Sequence, residues 1–392
     1  MTGLFPCPPE IQPVIIAARR TPIGRAGGDF RDVEIENLAA PVLAAALTDS
    51  GAPPAEIDDV ILGNAAGPGG NIARLSALTA WGDTSVPGVT VDRQCGSGLE
   101  AVILACRLIQ SGAGCLFIAG GVESQSRKPL RAFPTKRGAE PAFYERARFA
   151  PDAIGDPEMG IAADTVADRY GVTRARQDAY ALQSHRRAIA AQHAGVFEAE
   201  IVPVADITSD ACPRDDLTPE RLARLRPAFS AAGTVTVANA CPLNDGAAAL
   251  VITTATRARA LGHNKALAFM DAATAGVDPN VLGIGPVAST QKLMERHQTL
   301  TLHDVTHVEF NEAFASQTLA CFDALGLPSD LPNPQGGAIA LGHPFGASGA
   351  ILATRLFTQL VRQTAPDHAL ALAMIGIGGG LGLTAAFRPI TL

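Results

Sequence analysis

Apolar and polar positions along this chain switch between two periods, and the switching points mark its elements. Residues 14–18, 60–63, 86–91 and 115–119 are short apolar runs that predict buried strands. Between them, 38–50, 71–81 and 99–110 repeat apolar residues at helical spacing. From about Glu123 to Thr234 charge and proline rise and strands thin out. Within that stretch 159–170 and 175–193 read as amphipathic helices of an insertion or lid. Its basic cluster, Arg127, Lys128, Arg131, Lys136 and Arg137, reads first as a solvated surface. The alternation resumes at Gly233. Val235–Ala238 leads to a small-residue helix or strand after Asn244-Asp245-Gly246. A strand over 305–310, a glycine-rich turn over 336–349, a helix over 350–362 and a strand over 369–375 follow, before Gly378-Gly379-Gly380. Strands alternating with helices predict an α/β fold with a mostly parallel sheet covered by helices.

A weak echo runs through this pattern. Cys95, a helix, a strand and Gly120-Gly121 are matched later by His343, a helix, a strand and Gly378-Gly379-Gly380. The echo predicts two similar halves whose reactive loops meet at their junction.

Composition narrows the partners. The 392 residues are 47% hydrophobic and 18% charged, with a net charge of −7 and no Lys/Arg run, which argues against nucleic acid. Every apolar run stops short of a membrane span, and the N-terminus has no basic region followed by an apolar block. Seven cysteines at 7, 95, 106, 115, 212, 241 and 321 have no metal-type spacing. They fit free thiols in a reducing compartment, with the cytoplasm as the default.

The chemistry centres on Val91-Asp-Arg-Gln-Cys95-Gly-Ser-Gly-Leu99. A strand delivers a thiol to the start of a helix, where free N–H groups and the helix dipole favour a thiolate. His343 is the best base: Gly342 and Pro344 hold it out of any helix in an otherwise uncharged turn. Asn311, ending a strand, suits an oxyanion or a water, and the N–H groups of Gly378 and of Cys95 suit a second oxyanion site. Gly376–Leu381 lacks the third glycine of a dinucleotide fingerprint, and Ser348 lacks the final glycine of a hydrolase elbow. No metal or P-loop spacing occurs, so a cofactor-free covalent enzyme is the reading that remains.

These motifs together resemble the thiolase family, which joins or cleaves acyl groups on coenzyme A. The matching segments are Arg20-Thr-Pro-Ile-Gly24, Asn71-Ile-Ala-Arg74, Cys95-Gly-Ser-Gly-Leu99, Ala119-Gly-Gly-Val-Glu-Ser124 and Met159-Gly160. They continue through Leu225-Arg-Pro-Ala-Phe229, Gly233-Thr-Val-Thr236, Asn244-Asp-Gly-Ala247, Asn311-Glu-Ala-Phe314 and 336–349. The resemblance implies an α-β-α-β-α layered fold of two duplicated halves with an inserted loop domain. It assigns 1–122, completed by part of 234–270, to one half, 123–233 to the loop domain and 271–392 to the other half. It implies that Cys95 carries the acyl group, that His343 activates it, and that Asn311 and Gly378 serve the oxyanion sites. Arg214 is expected near the nucleotide end of coenzyme A, with Met159, Cys241 and Phe314 along the pantetheine. An acyl-CoA thioester is the expected substrate, with no further cofactor, and a homodimer or homotetramer is the expected assembly.

Three departures from the family pattern stand out. Gly376 stands where a second reactive cysteine moves the α-proton, and Ala313 cannot replace it as a cysteine does in sterol-carrier-type members. Cys241 and Pro242 replace a usual serine and glycine, and Glu158 replaces a histidine found in some members. A carbon–carbon acyltransferase is the leading expectation. The alternatives are an acyl-CoA hydrolase or transferase to a non-carbon acceptor, and a non-catalytic coenzyme A-binding subunit.

Overall fold

A computed structural model describes residues 8–298 and 300–392; Cys7 lies outside them. The chain runs β1 (Pro13–Arg20), α1 (Ile35–Ser50), β2 (Asp59–Gly63), α2 (Ile72–Trp81), β3 (Val89–Val91), α3 (Ser97–Gln110) and β4 (Leu116–Ser124). After α4 (Met159–Arg169) and α5 (Arg174–His193), β5 (Asn244–Thr254) returns to the sheet. Then come β6 (Lys265–Gly276), α6 (Gly285–Arg296), β7 (Val305–Phe310), α7 (Ala315–Leu325), α8 (Phe345–Phe357), β8 (Leu370–Ile377) and β9 (Leu381–Thr391). The sheet order is β7-β8-β9-β6-β1-β5-β4-β2-β3. β6 and β1 join its halves through Val14–Ala268 and Ile15–Leu267.

The second half repeats the first. β1-α1-β2-α2 is echoed by β6-α6-β7-α7, and α3-β4-β5 by α8-β8-β9. The isolated parallel bridge between Val308 and Pro332 stands where β3 pairs with β2. α3 and α8 pack on each other between the sheet halves, while α1, α2, α6 and α7 cover the outside. β8 displays the layering in its own alternation. Ala371, Ala373 and Ile375 join the inner core with α3 and α8, whereas Leu370, Leu372 and Met374 join the outer one.

The sheet is mixed rather than mostly parallel. β2–β3, β2–β4 and β7–β8 run parallel, but β5 and β9 each return antiparallel beside the strand before them. The tight connection through Gly378–Gly380, with Gly379 and Gly380 at φ +82° and +80°, makes β8 and β9 a hairpin, and a hairpin cannot be parallel. The strand expected over 86–91 shrinks to Val89–Val91 because Pro87 and Gly88 interrupt it. The helix expected from Ala350 begins at Phe345, directly after Pro344.

The two central helices cross where neither carries bulk. A Cβ on Gly98 lies 2.7 Å from the Gly346 carbonyl oxygen and 2.9 Å from the Ala350 nitrogen. These are backbone atoms and cannot step aside. Gly98→Ala is therefore expected to lower stability by about 1–3 kcal/mol, read as a reduced denaturant midpoint. The crossing also brings the N-terminal ends of both helices, and the turns before them, to one place.

Candidate active site

The Cys95 turn is held before any substrate arrives. Asp92 Oδ1 accepts the Gln94 N–H at 2.7 Å. Ser97 Oγ accepts the Arg93 N–H at 2.8 Å and donates to the Gln94 carbonyl at 2.6 Å. Gln94 sits at φ +43°, a left-handed conformation that costs a non-glycine residue on the order of 1 kcal/mol or more. That strain thrusts Cys95 out at the start of α3. The N–H groups of Gly378 and of Cys95 itself both bear on its sulfur.

Burial nevertheless outweighs these donors and pushes the Cys95 thiol up to about 12, aided by the Glu123 and Asp92 carboxylates. The thiolate expected from the helix start is therefore absent from the free protein. Cys95 rests as a thiol.

His343 lies before α8, as Cys95 lies before α3. Its N–H donates to Asn244 Oδ1 at 2.8 Å. Its Nδ1 lies 2.6 Å from Ser348 Oγ, and that hydroxyl donates to the Pro344 carbonyl at 3.1 Å. Ser348 therefore accepts from Nδ1–H, which leaves the lone pair on Nε2. Asn311 Nδ2 is 3.4 Å from that Nε2, a long contact. Burial lowers His343 to about 3, so it stands neutral as a base.

This carries a stability consequence. Between pH 6.5 and about 3 the unfolded chain binds a proton at His343 that the folded chain refuses. The contribution is complete above pH 6.5 and falls with decreasing pH by about 1.4 kcal/mol per unit. Urea midpoints at pH 7, 6 and 5 should therefore drop more steeply for the wild type than for His343→Asn.

Two buried carboxylates brace these loops. Glu123, at the end of β4, accepts the N–H groups of Ala65 (3.0 Å), Ala66 (3.2 Å) and Gly346 (3.0 Å), and burial raises it to about 7. Glu312 accepts from Tyr180 and Ser184, each at 2.7 Å, and from Asn333 at 2.6 Å.

The remaining predicted residues fall into two groups. Phe314, half-buried, meets Phe229 edge-on at 6.0 Å, and Gly160, next to Met159, packs against the same Phe229 ring. Ala240 bridges to Phe314, and the Cys241 N–H donates to Ala313 at 2.9 Å. Cys241 is close enough to Cys95 for a charge on Cys95 to disfavour its ionisation. Cys241 thus links the neighbourhood of Cys95 to the Phe314–Phe229 pair, which the start of α4 at Met159-Gly160 adjoins. Arg214 belongs to another cluster. Its N–H donates to His185 Nδ1 at 3.2 Å, and burial, followed by the nearby Arg25 charge, lowers its pKa. Cys212 borders that cluster and accepts from Asn244 Nδ2 at 3.1 Å.

Gly376 lies at the end of β8, beside the Asn311 loop: Phe310 pairs with Met374, and the Asn311 N–H donates to the Met374 carbonyl. Two residues at the site escape sequence reasoning. Ser348 sets the His343 tautomer, and its spacing of five residues from the histidine was the available signal. Gln317 faces Gly376, and nothing in the sequence marks it. Among the described residues no group of His, Cys, Asp and Glu side chains is arranged to hold a metal, and no helix is long and apolar enough to cross a membrane.

Comparison with known proteins agrees with this architecture. The family model "Thiolase, N-terminal domain" matches residues 13–256, and "Thiolase, C-terminal domain" matches 264–388. A Bacillus subtilis (strain 168) protein described as "Putative acetyl-CoA C-acetyltransferase YhfS" is 46% identical over 386 residues, covering 96% of this chain and 99% of its own. A Staphylococcus epidermidis protein described as "Putative acetyl-CoA C-acetyltransferase VraB" is 45% identical over 384 residues, covering 96% and 98%. The crystal structure of the Bacillus anthracis acetyl-CoA acetyltransferase superposes with a TM-score of 0.89 at 36% identity, covering 97% of this chain and 99% of that one. This chain belongs to the thiolase family.

Proposed function

We propose that this chain is a thiolase-type acyltransferase that takes an acyl group from coenzyme A onto Cys95. The observation that carries the reading is the convergence at one end of α3 and α8. There the Cys95 sulfur receives the N–H groups of Gly378 and Cys95, and the turn before α8 offers His343 with its Nε2 lone pair beside Asn311. Relatives bearing acetyl-CoA C-acetyltransferase names support the same substrate class.

The steps follow from resting states. A neutral thiol meets a neutral imidazole, so His343 Nε2 takes the Cys95 proton as sulfur attacks the thioester carbonyl. The two N–H groups that bear on the sulfur suit the oxyanion formed beside it, and the proton leaves with the coenzyme A thiol. The phenylalanine-lined side by Met159 and Cys241 suits the pantetheine, and the Arg25–Arg214 cluster suits phosphate. At Gly376 no side chain is available to move an α-proton, so carbon–carbon bond formation and cleavage are the slow part of this chemistry.

Incubation with acetyl-CoA followed by intact-mass measurement tests the reading. One acetyl group should appear, localised to Cys95 by peptide mapping, and an unmodified chain under turnover conditions would refute it.

A further inference from the structure

Gln317, in the first turns of α7, is 2% exposed, and neither its amide oxygen nor its amide nitrogen finds a protein partner. Leaving both halves of a buried amide unpaired is costly, on the order of 1–3 kcal/mol for each group. The side chain is also held in place: its Cγ lies 2.7 Å from where a Cβ on Gly283 would stand, so only glycine there admits the stem. The amide is aimed at Gly376, with Nε2 3.0 Å from the position a Cβ at residue 376 would take and the Gly283 carbonyl oxygen 3.6 Å from it. Gly376 does not have a positive φ, so its backbone does not require glycine. It is partly accessible, whereas Gln317 behind it is buried. The point beside Gly376 therefore has a donor in Gln317 Nε2, an acceptor in the Gly283 carbonyl, which also takes the Cys321 thiol at 3.3 Å, and an approach; two such partners are enough to fix a water.

We infer that Gln317 is a positioning residue that holds a water beside Gly376, and that this water releases the acyl group from Cys95 as a carboxylic acid. The inference rests on the acyl-Cys95 reading and adds an acyl-CoA hydrolase activity to it. The water oxygen bonds to the acyl carbonyl carbon while its proton passes to His343 Nε2. The tetrahedral oxyanion then collapses, the carbon–sulfur bond breaks, and the His343 proton returns to the Cys95 sulfur. The sum is thioester plus water giving acid plus thiol, with no other reactant. Because Gly376 cannot move an α-proton, the acyl-enzyme waits, and waiting favours the water.

The test follows acetyl-CoA in H2(18)O without added acceptor, reading labelled acetate. In parallel it reads exchange of labelled coenzyme A into acetyl-CoA, which reports acylation alone. The wild type should release labelled acetate. Gln317→Met, of similar size and unable to fix a water, should lower the ratio of acetate release to exchange by about tenfold, the worth of one positioned hydrogen bond. A merely structural role would lower both rates together and leave the ratio unchanged, which would overturn the inference. Gly376→Cys supplies the second variant: its side chain fills the same point and should lower the ratio even where Gln317→Met folds poorly. Exchange without labelled acetate in the wild type sinks the hydrolase activity and leaves acyl-Cys95 standing. Absence of both exchange and acylated Cys95 refutes the underlying reading instead.

Discussion

Cys95→Ala is expected to take up no acetyl group and to lose coenzyme A exchange by about 10^4- to 10^6-fold, the loss typical of removing a covalent nucleophile. The size of the expected effect follows from how much converges on one atom. Two N–H groups, a strained Gln94 and the ends of α3 and α8 serve no other sulfur. Cys241 lies nearby, but burial followed by the Cys95 charge raises its thiol as well, and it has no comparable pair of N–H donors, so it is no substitute. Intact mass and the exchange assay read the loss. Circular dichroism and coenzyme A binding by calorimetry separate it from misfolding, since removing one sulfur from a half-buried position leaves the packed helices alone. Retention of exchange within tenfold of the wild type would sink Cys95 as the acyl carrier.

Gly376→Cys is expected to gain activity, which few substitutions in a packed protein do. The new Cβ stands 3.0 Å from Gln317 Nε2, 3.5 Å from Pro286 Cδ and 3.6 Å from the Gly283 oxygen. Only the first contact is tight; the Gln317 stem is confined beside Gly283, so the terminal amide alone rotates to make room, which takes it off the point it otherwise faces. A thiol then projects beside the Asn311 loop, where an acid and base for the α-carbon is otherwise lacking. General acid–base assistance contributes about 10^2- to 10^4-fold, so thiolysis of 3-ketoacyl-CoA and deuterium exchange at the α-carbon of acetyl-CoA should rise within that range. A folded variant with unchanged exchange would mean that something other than this position limits the carbon–carbon step.

The reactive loops were legible in the chain because turns are written in residue identity. Cys95 before a helix, His343 between Gly342 and Pro344, and Asn311 at a strand end each carry a local signal. β6, α6 and β9 carried little. Lys265–Gly276 is so rich in alanine that neither the strand nor the helix period stands out, and its identity as a strand comes from pairing along most of β9. The protonation state of Cys95 was misread for a related reason. A helix start is visible in sequence, but burial depends on the whole fold, and here burial prevails. Gln317 lies furthest from legibility. Its meaning arises only when β8, α7 and the Gly283 loop meet, three segments separated by dozens of residues.

The repeat of α3-β4-β5 in α8-β8-β9 has a consequence for how unlike groups come to face each other. Cys95 and His343 occupy corresponding turns of the two repeats, each at the head of a central helix. Two separate, identical copies facing across a twofold axis would present the same side chain at both turns, thiol to thiol or imidazole to imidazole. Joining both copies in one polypeptide breaks that constraint. One turn is then free to become the nucleophile and the other its base, while the shared backbone still places them opposite each other.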